Sequence, residues 1–120
     1  MEKVLIIDEN LMLNSKIKQL ATLAGYEAKI IAFFKEKDLS KIDEFNPDFV
    51  IVNLESKRNP VFELIPKIKE KNVKIVGYCG HTRTDLAGKA KEFGVDFVAT
   101  NGMITSQLPQ ILEGIKKGIA

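Results

Sequence analysis

The sequence predicts an α/β domain in which five parallel strands form one doubly wound sheet. Five short runs are rich in β-branched or aromatic residues and nearly continuous in hydrophobicity, which is typical of strands covered on both faces. Amphipathic stretches alternate with these runs, and no repeat, low-complexity tract or linker interrupts them. A chain of 120 residues can bury a core without disulfides or a structural metal, so we expect a single domain over residues 1–120.

The first half of the chain supplies three strands and two helices. The strands are predicted at residues 4–7, 28–31 and 49–52. Gly25 stands where the left-handed cap of the first helix would lie, and Asn46-Pro47 ends a short second helix. The apolar positions at helical spacing are Leu13, Ile17, Leu20, Ala21 and Ala24 in the first helix, and Leu39, Ile42 and Phe45 in the second.

The second half supplies two more strands, at residues 75–78 and 97–99, and three more helices. The third helix should begin near Pro60 and be bent or weakened by Pro66, whereas Gly94 closes the fourth. The apolar positions are Leu64, Ile65 and Ile68 in the third helix, Leu86, Ala87, Ala90 and Phe93 in the fourth, and Ile104, Leu108, Ile111, Leu112, Ile115 and Ile119 in a single last helix.

The order of the elements predicts the topology. Crossovers between parallel strands are right-handed almost without exception, and five βα units then give most simply the strand order 2-1-3-4-5, which is the flavodoxin-like fold. In such sheets ligands bind beyond the carboxyl ends of the strands, beside the first and third. The polar groups that follow the strands should therefore converge on one crevice: Asp8-Glu9-Asn10, Asn53, Cys79-Gly80-His81 and Thr100-Asn101-Gly102.

Three segments resemble the receiver domains of response regulators in two-component signalling. Residues 4–9 (VLIIDE) are similar to the family's first strand, residues 46–54 (NPDFVIVNL) to its third, and residues 92–97 (EFGVDF) to its approach to the fifth, with matching spacing over the whole chain. The resemblance implies an aspartate at the end of the third strand that accepts a phosphoryl group and two acidic residues that hold Mg²⁺. It also implies a Ser or Thr after the fourth strand and a Lys after the fifth.

This chain keeps only the acidic pair of that set, Asp8 and Glu9. Asn53 stands at the phosphoacceptor position, Cys79 at the Ser or Thr position, and Asn101 at the lysine position. A neutral amide cannot form an acyl phosphate, a thiol donates hydrogen bonds weakly, and the missing lysine would have neutralised the phosphoryl oxygens. The resemblance therefore implies a pseudo-receiver with a degenerate pocket, which is not phosphorylated on the usual aspartate.

The carboxylates of Asp8 and Glu9 leave two interpretations open. They could bind Mg²⁺ weakly, with the Asn53 amide oxygen and the Glu55 backbone carbonyl completing the shell. The favoured alternative is a vestigial pair that caps the first helix, and no other cofactor is expected. The apolar Leu11-Met12-Leu13 that follows could line a rim or the core, since spacing requires only one of the three to face the core.

Other residues near the strand ends are better explained by structure than by chemistry. Cys79 beside His81 is expected to be a small packed residue, because no orienting group or resolving cysteine accompanies it. Asn101-Gly102 is expected to form a tight turn. Val98 takes the place of the aromatic residue that often reports the family's switch, and Phe97 should point to the other face. No catalytic triad or metal-ligand set is present, so we do not expect an enzyme.

The expected function is that of a protein-interaction module in a signalling pathway. By resemblance, the partner face consists of the fourth helix, fifth strand and fifth helix, and a homodimer could use the same face. The residues on or near this contact are Asp85, Lys89, Lys91 and Glu92.

Two alternatives remain. The first is a small-ligand or nucleotide site in the same crevice, although the two carboxylates after the first strand would repel a phosphate. The second is a receiver phosphorylated at a non-standard residue, such as Asp48 or Ser56.

Composition narrows the partners and the compartment. The formal charge is +2 and the lysines are spread among glutamates, so we do not expect nucleic-acid binding. The apolar runs are too short for a membrane span. A single cysteine fits a reducing compartment, and the protein is expected to be cytoplasmic.

Overall fold

The computed structural model describes residues 1–118, in which a five-stranded parallel sheet lies between two layers of helices. The hydrogen-bonded order β2-β1-β3-β4-β5 confirms the predicted topology. Every strand end lies within one residue of its predicted position. The strands are β1 (Lys3–Ile7), β2 (Glu27–Ile31), β3 (Phe49–Asn53), β4 (Lys74–Cys79) and β5 (Phe97–Thr100).

The helices divide between the two faces of the sheet. One core contains buried residues from α1 and α6, and the other contains buried residues from α2, α3 and α4. Each strand contributes side chains to both cores, because successive side chains of a strand point to opposite faces of the sheet. The helices are α1 (Leu11–Leu23), α2 (Leu39–Phe45), α3 (Val61–Lys69), α4 (Thr84–Phe93), α5 (Asn101–Ile104) and α6 (Leu108–Lys117).

Strand β1 shows how this sequence produces the layers. Val4 and Ile6 pack into the α1 and α6 core, whereas Leu5 and Ile7 pack into the opposite core. All four side chains are fully buried, which is why the strand is an unbroken apolar run. The register places Ile7 beside Ile31 of β2, so the segments that follow these two strands leave the sheet side by side.

The start of α1 settles two expectations about the residues after β1. The cap is Asn10, whose Oδ1 accepts a hydrogen bond from the backbone N–H of Leu13 at 3.1 Å, so the prediction that the acidic pair caps this helix is wrong. Leu13 packs against the core, while Leu11 and Met12 are exposed. At the other end, Gly25 has a φ of +95°, as its predicted left-handed position requires.

The last part of the chain differs from the prediction of one continuous helix. Thr100 caps α5, its hydroxyl oxygen accepting from the backbone N–H of Met103 at 3.1 Å, and Pro109 stands in the first turn of the separate α6. Asn101 and Gly102 begin α5, so the predicted tight turn is also wrong. Ile119 lies outside the described residues. Helix α3 continues through Pro66 to Lys69.

Strand β2 forms one open edge of the sheet, and its exposed residues are charged. Glu27 and Lys29 are exposed, and the ammonium of Lys29 lies 5.7 Å from the centre of the Phe45 ring. None of the helices within residues 1–118 combines the length and apolar character needed to cross a membrane.

Candidate functional site

Three of the five predicted pocket residues share one region at the carboxyl ends of β1 and β3. Asp8 and Glu9 follow β1, and Asn53 is the last residue of β3. Cys79 and Asn101 lie at the same edge of the sheet, at the end of β4 and just after β5. Within residues 1–118, no side-chain hydrogen bond joins Cys79 or Asn101 to the other three. The pocket therefore has a bonded side, at β1 and β3, and a separate side, at β4 and β5.

Asp8 is completely buried and accepts hydrogen bonds from two neighbouring segments. The Asn53 amide donates to Oδ1 at 3.1 Å, and the backbone N–H of Asn10 donates to the same atom at 2.9 Å. The orientation of the Asn53 amide is determined by its own oxygen, which accepts from the backbone N–H of Glu55 at 2.9 Å. Asn53 therefore presents a donor to the pocket, where an aspartate would present an acceptor.

The second oxygen of Asp8 accepts from the hydroxyl of Tyr78. Tyr78 is completely buried on β4 and lies in register with Asn53 on β3. Burial, together with the negative charge of Asp8, raises the pKa of Tyr78, so the hydroxyl stays protonated and remains a donor. This bond reaches past β3 and ties β4 to β1.

Glu9 fastens the loop between β3 and α3. Its Oε1 accepts from the Ser56 hydroxyl and from the Asn59 amide at 3.3 Å. Its Oε2 accepts from the backbone N–H groups of Lys57 at 3.1 Å and Arg58 at 3.4 Å. Partial burial raises the pKa of Glu9. The hydrogen bonds that its carboxylate accepts, with that of Ser56 the largest, lower the pKa by more, so the pKa lies below its usual value.

A third carboxylate, that of Glu55, joins the loops after β3 and β4. Its Oε2 accepts from the backbone N–H of Gly80 at 2.9 Å, and its Oε1 lies 3.4 Å from the guanidinium of Arg83. The sequence predicts a role in the site only for the backbone carbonyl of Glu55. Its side chain instead holds the two loops together.

The side of the pocket at β4 and β5 is less well bonded. The Cys79 thiol is buried, and its one hydrogen bond within residues 1–118 is a 3.7 Å contact with the carbonyl of Arg83. Burial, followed by the charge of Glu55, raises the pKa of Cys79, which keeps the thiol in its unreactive form, as expected for a packed residue. The Asn101 Oδ1 is buried and has no hydrogen-bond partner within residues 1–118. His81 is exposed.

One cavity and the core contacts of β5 also belong to the side at β4 and β5. A cavity of about 130 Å³ is lined by Cys79, Ala87 and Val98, among others. Val98 packs into the core with α4, and Phe97 packs into the core on the other face, as strand alternation predicted.

The residues at the strand ends do not suit a hard divalent cation. Such ions require several oxygen ligands that are free to bind them. Both oxygens of Asp8 and both oxygens of Glu9 already accept hydrogen bonds from the protein, and Asn53 turns its NH₂ group to Asp8. No group of three His, Cys, Asp or Glu residues within residues 1–118 could hold a metal ion.

The network also contains two residues that the sequence did not indicate, Tyr78 and Asn59. Asn59 is buried, its amide donates to the carbonyl of Ala32 at 2.9 Å, and its oxygen accepts from the backbone N–H of Phe34 at 2.7 Å. A signal existed for Tyr78, because a tyrosine in a strand buried on both faces requires a partner for its hydroxyl. Nothing in the sequence around Asn59 indicates burial.

The two alternative phosphorylation residues lie in different places. Asp48 is exposed at the amino end of β3, on the opposite edge of the sheet, where it accepts from the backbone N–H of Lys3 at 2.8 Å. Ser56 lies beside the pocket, but its hydroxyl donates to Glu9 and accepts from the backbone N–H of Asn59 at 3.0 Å.

The four residues predicted for a partner face do not all point the same way on α4. Asp85 pairs with Arg83 at 3.1 Å, and Glu92 is exposed. Lys89 faces α3, with its ammonium 4.4 Å from the centre of the Phe62 ring. Lys91 instead lines the cavity beside β5.

Comparison with known proteins gives a consistent fold. No family model matches the chain, and a search of curated proteins finds no match. A two-component response regulator of the LuxR family from Aurantimonas sp. SI85-9A1 is similar with a TM-score of 0.81 and 21% identity, over 97% of this chain and 85% of that chain. A DNA-binding response regulator of the LuxR family from Staphylococcus aureus has a TM-score of 0.78 and 23% identity over 100% of both chains.

A third structure gives the same fold at lower similarity. It is a response regulator protein from Burkholderia pseudomallei with a phosphorylated aspartic acid, a calcium ion and citrate. Its TM-score is 0.72 at 16% identity, and the match covers 97% of this chain and 73% of that chain. The chain therefore has the fold of response-regulator receiver domains.

Proposed function

We propose that this chain is a pseudo-receiver, a cytoplasmic signalling module that binds a partner protein and is not phosphorylated on aspartate. The observation that carries the proposal is the position of Asn53 at the tip of β3, where its amide donates to Asp8. A carboxamide has no anionic oxygen with which to attack a phosphodonor. The receiver fold supports the signalling role, and the absence of a catalytic set supports a binding function instead of an enzymatic one.

Divalent cations have no part in the proposed function. The buried Asp8 is satisfied by Asn53, Tyr78 and Asn10, and Glu9 is satisfied by its loop. A cation would have to displace several of these bonds, and the donors that lost their acceptors would become unsatisfied. We expect Mg²⁺ to leave the thermal unfolding of the protein unchanged.

The test is incubation with acetyl phosphate and Mg²⁺, followed by intact mass measurement. We expect the wild-type chain to gain no phosphoryl group. Asn53→Asp should gain little, because Asn101 supplies no cation, whereas the double variant Asn53→Asp with Asn101→Lys should gain more. A labile adduct on the wild-type chain would overturn the proposal, and its mapping to Asp48 or Ser56 would establish the alternative of a non-standard acceptor.

The partner face proposed by resemblance consists of α4, β5 and α6. Lys91→Glu is the better test on this face, because Lys89 packs on Phe62 and its replacement would also disturb α3. If the face is used, Lys91→Glu should weaken binding of the partner recovered from native cells, while Lys18→Glu on α1 should not. Sedimentation of the two variants tests a homodimer through the same face.

A further inference from the structure

Three of the five large apolar side chains that are exposed within residues 1–118 lie at one edge of the molecule. Leu11 is 73% exposed, Met12 is 86% exposed and Phe33 is 56% exposed. The other two are Met1, at the amino terminus, and Leu23, at the far end of α1. The segments that carry Leu11, Met12 and Phe33 follow β1 and β2, which are neighbours in the sheet. We call these three side chains together the apolar rim.

The exposure of Phe33 is held by the backbone on both sides of it. The Asn59 amide donates to the carbonyl of Ala32 at 2.9 Å, and the Asn59 oxygen accepts from the backbone N–H of Phe34 at 2.7 Å. The Phe34 side chain is completely buried. Phe33 cannot turn into the core without breaking these two buried hydrogen bonds, so its ring is presented to solvent by the fold itself.

Three cations lie on segments that adjoin those of the apolar rim. Lys57 and Arg58 are exposed on the loop that Glu9 fastens, and the Lys35 ammonium donates to the carbonyl of Arg58 at 2.6 Å, which joins this loop to the segment after β2. None of these three cations forms an ion pair within residues 1–118.

Carboxylates close to these cations in sequence, and the two that follow β1, already have partners. Glu55, two residues before Lys57, pairs with Arg83 at 3.4 Å. Asp8 is buried, Glu9 accepts from its loop, Glu36 pairs with Lys67, and Asp38 pairs with Lys41. The cationic groups of Lys35, Lys57 and Arg58 therefore have no ion-paired carboxylate within residues 1–118. A partner could supply one.

We propose that the apolar rim is a docking surface for an acidic amphipathic segment of a partner protein. The apolar side chains of that segment would cover Leu11, Met12 and Phe33, and its carboxylates would pair with Lys35, Lys57 and Arg58. Aromatic residues, Met and Arg are enriched at the centres of protein interfaces, which favours a protein over a nucleic acid here. A second copy of this chain is disfavoured, because a two-fold contact would bring the same cations together.

This inference rests on the proposed role as an interaction module, but not on the loss of phosphorylation or on the α4 face. The test places the photo-crosslinking residue p-benzoylphenylalanine at Phe33 of the full chain in its native cells, with the same residue at Leu23 as the matched control. We expect a protein adduct at Phe33 and none at Leu23. Peptide mapping should place the adduct in a segment where Asp or Glu residues alternate with apolar ones.

The second part of the test reverses the charges beside the apolar rim. Lys57→Glu combined with Arg58→Glu should lower the Phe33 adduct at least tenfold, because like charges now oppose the segment. The control pair Lys18→Glu and Lys74→Glu, at exposed positions elsewhere, should leave the yield within twofold, and circular dichroism should confirm that both variants fold. The proposal is overturned by absence of a Phe33 adduct, by an adduct to a neutral or basic segment, to nucleic acid or to a second copy, or by an adduct that resists charge reversal. A phosphoryl adduct in the mass test would remove the proposed function while leaving these outcomes untouched.

Discussion

The two sides of the candidate site differ in how completely their polar groups are hydrogen-bonded. At β1 and β3, the amide nitrogen of Asn53 donates a hydrogen bond and its oxygen accepts one, and both carboxylate oxygens of Asp8 accept hydrogen bonds. At β4 and β5, Cys79 makes one weak sulfur contact, and Asn101 has a buried oxygen without a partner within residues 1–118. Within residues 1–118, a hydrogen-bond network joins the side chains at β1 and β3, whereas no such network joins Cys79 and Asn101 at β4 and β5.

This comparison shows how a buried carboxylate is accommodated in a stable fold. A buried carboxylate is costly unless it is fully hydrogen-bonded, so the bonded side stabilises the protein only while its network is intact. The other side contains no such charge and tolerates imperfect packing. Substitutions should therefore have large effects on the first side and small ones on the second.

The largest effect is expected from Tyr78→Phe, which removes only the hydroxyl that donates to Asp8. The free energy of unfolding should fall by about 2–3 kcal/mol, because the lost hydrogen bond is to a buried charged group. Urea unfolding measures it. Tyr26→Phe, at the other buried tyrosine, is the control and should cost less than about 1 kcal/mol, since its hydroxyl does not serve a buried carboxylate. Equal losses for the two variants would contradict the assigned role of Tyr78.

Asn59→Ala should come next. It removes the bonds to Ala32, Phe34 and Glu9 and leaves buried backbone groups without partners, so a loss of about 2 kcal/mol is expected in urea unfolding. Hydrogen exchange should show faster exchange at the Phe34 amide. Lys57→Ala, in the same loop but with an exposed side chain, should stay within about 0.5 kcal/mol of the wild type.

The lowered pKa of Glu9 predicts that the stability of the folded protein decreases in acid. Because its folded pKa is lowered, its contribution to stability is complete above the ordinary value of 4.5 and is lost as pH falls through the lowered value. Thermal unfolding of wild type and Glu9→Gln should differ most at neutral pH, and the difference should narrow below pH 4.5. Glu44→Gln, at an exposed position, is the control. A difference that stays constant down to pH 3 would remove Glu9 as the titrating group.

The smallest effect on stability is expected at the side of β4 and β5, where a cavity lies beside Val98. Val98→Ile adds one methylene beside the cavity of about 130 Å³ and should stabilise the protein by about 0.5–1 kcal/mol. Val4→Ile, in the fully buried β1, should instead destabilise it by about 1 kcal/mol through overpacking. Thermal unfolding of the two variants should shift in opposite directions, and a loss in both would show that the cavity is not available for packing.

The sequence predicted the sheet well because its signals are local or nearly so. Continuous apolar runs locate the strands, and the handedness of crossovers determines their order. The break between α5 and α6 was not predicted, although proline is common in the first turn of a helix and Pro109 stands in the first turn of α6. The prediction followed apolar spacing from Ile104 onward and did not weigh that proline.

The candidate site was predictable only in part. The convergence of Asp8 and Asn53 follows from topology, but the partners of their side chains depend on contacts far apart in the chain. Tyr78 and Asp8 are 70 residues apart, and Asn59 and Ala32 are 27 apart. No local pattern distinguishes a buried asparagine that joins two loops from an exposed one in a turn.

The charged edge of β2 has a consequence for association between sheets. An open strand offers unpaired backbone groups that a strand of another chain can bind, which is a common origin of aggregation. Glu27 and Lys29 place charges along that edge, and a second chain pairing there would have to desolvate them. We therefore expect this protein to resist sheet-to-sheet polymerisation even at high concentration, and to associate through loops and helices.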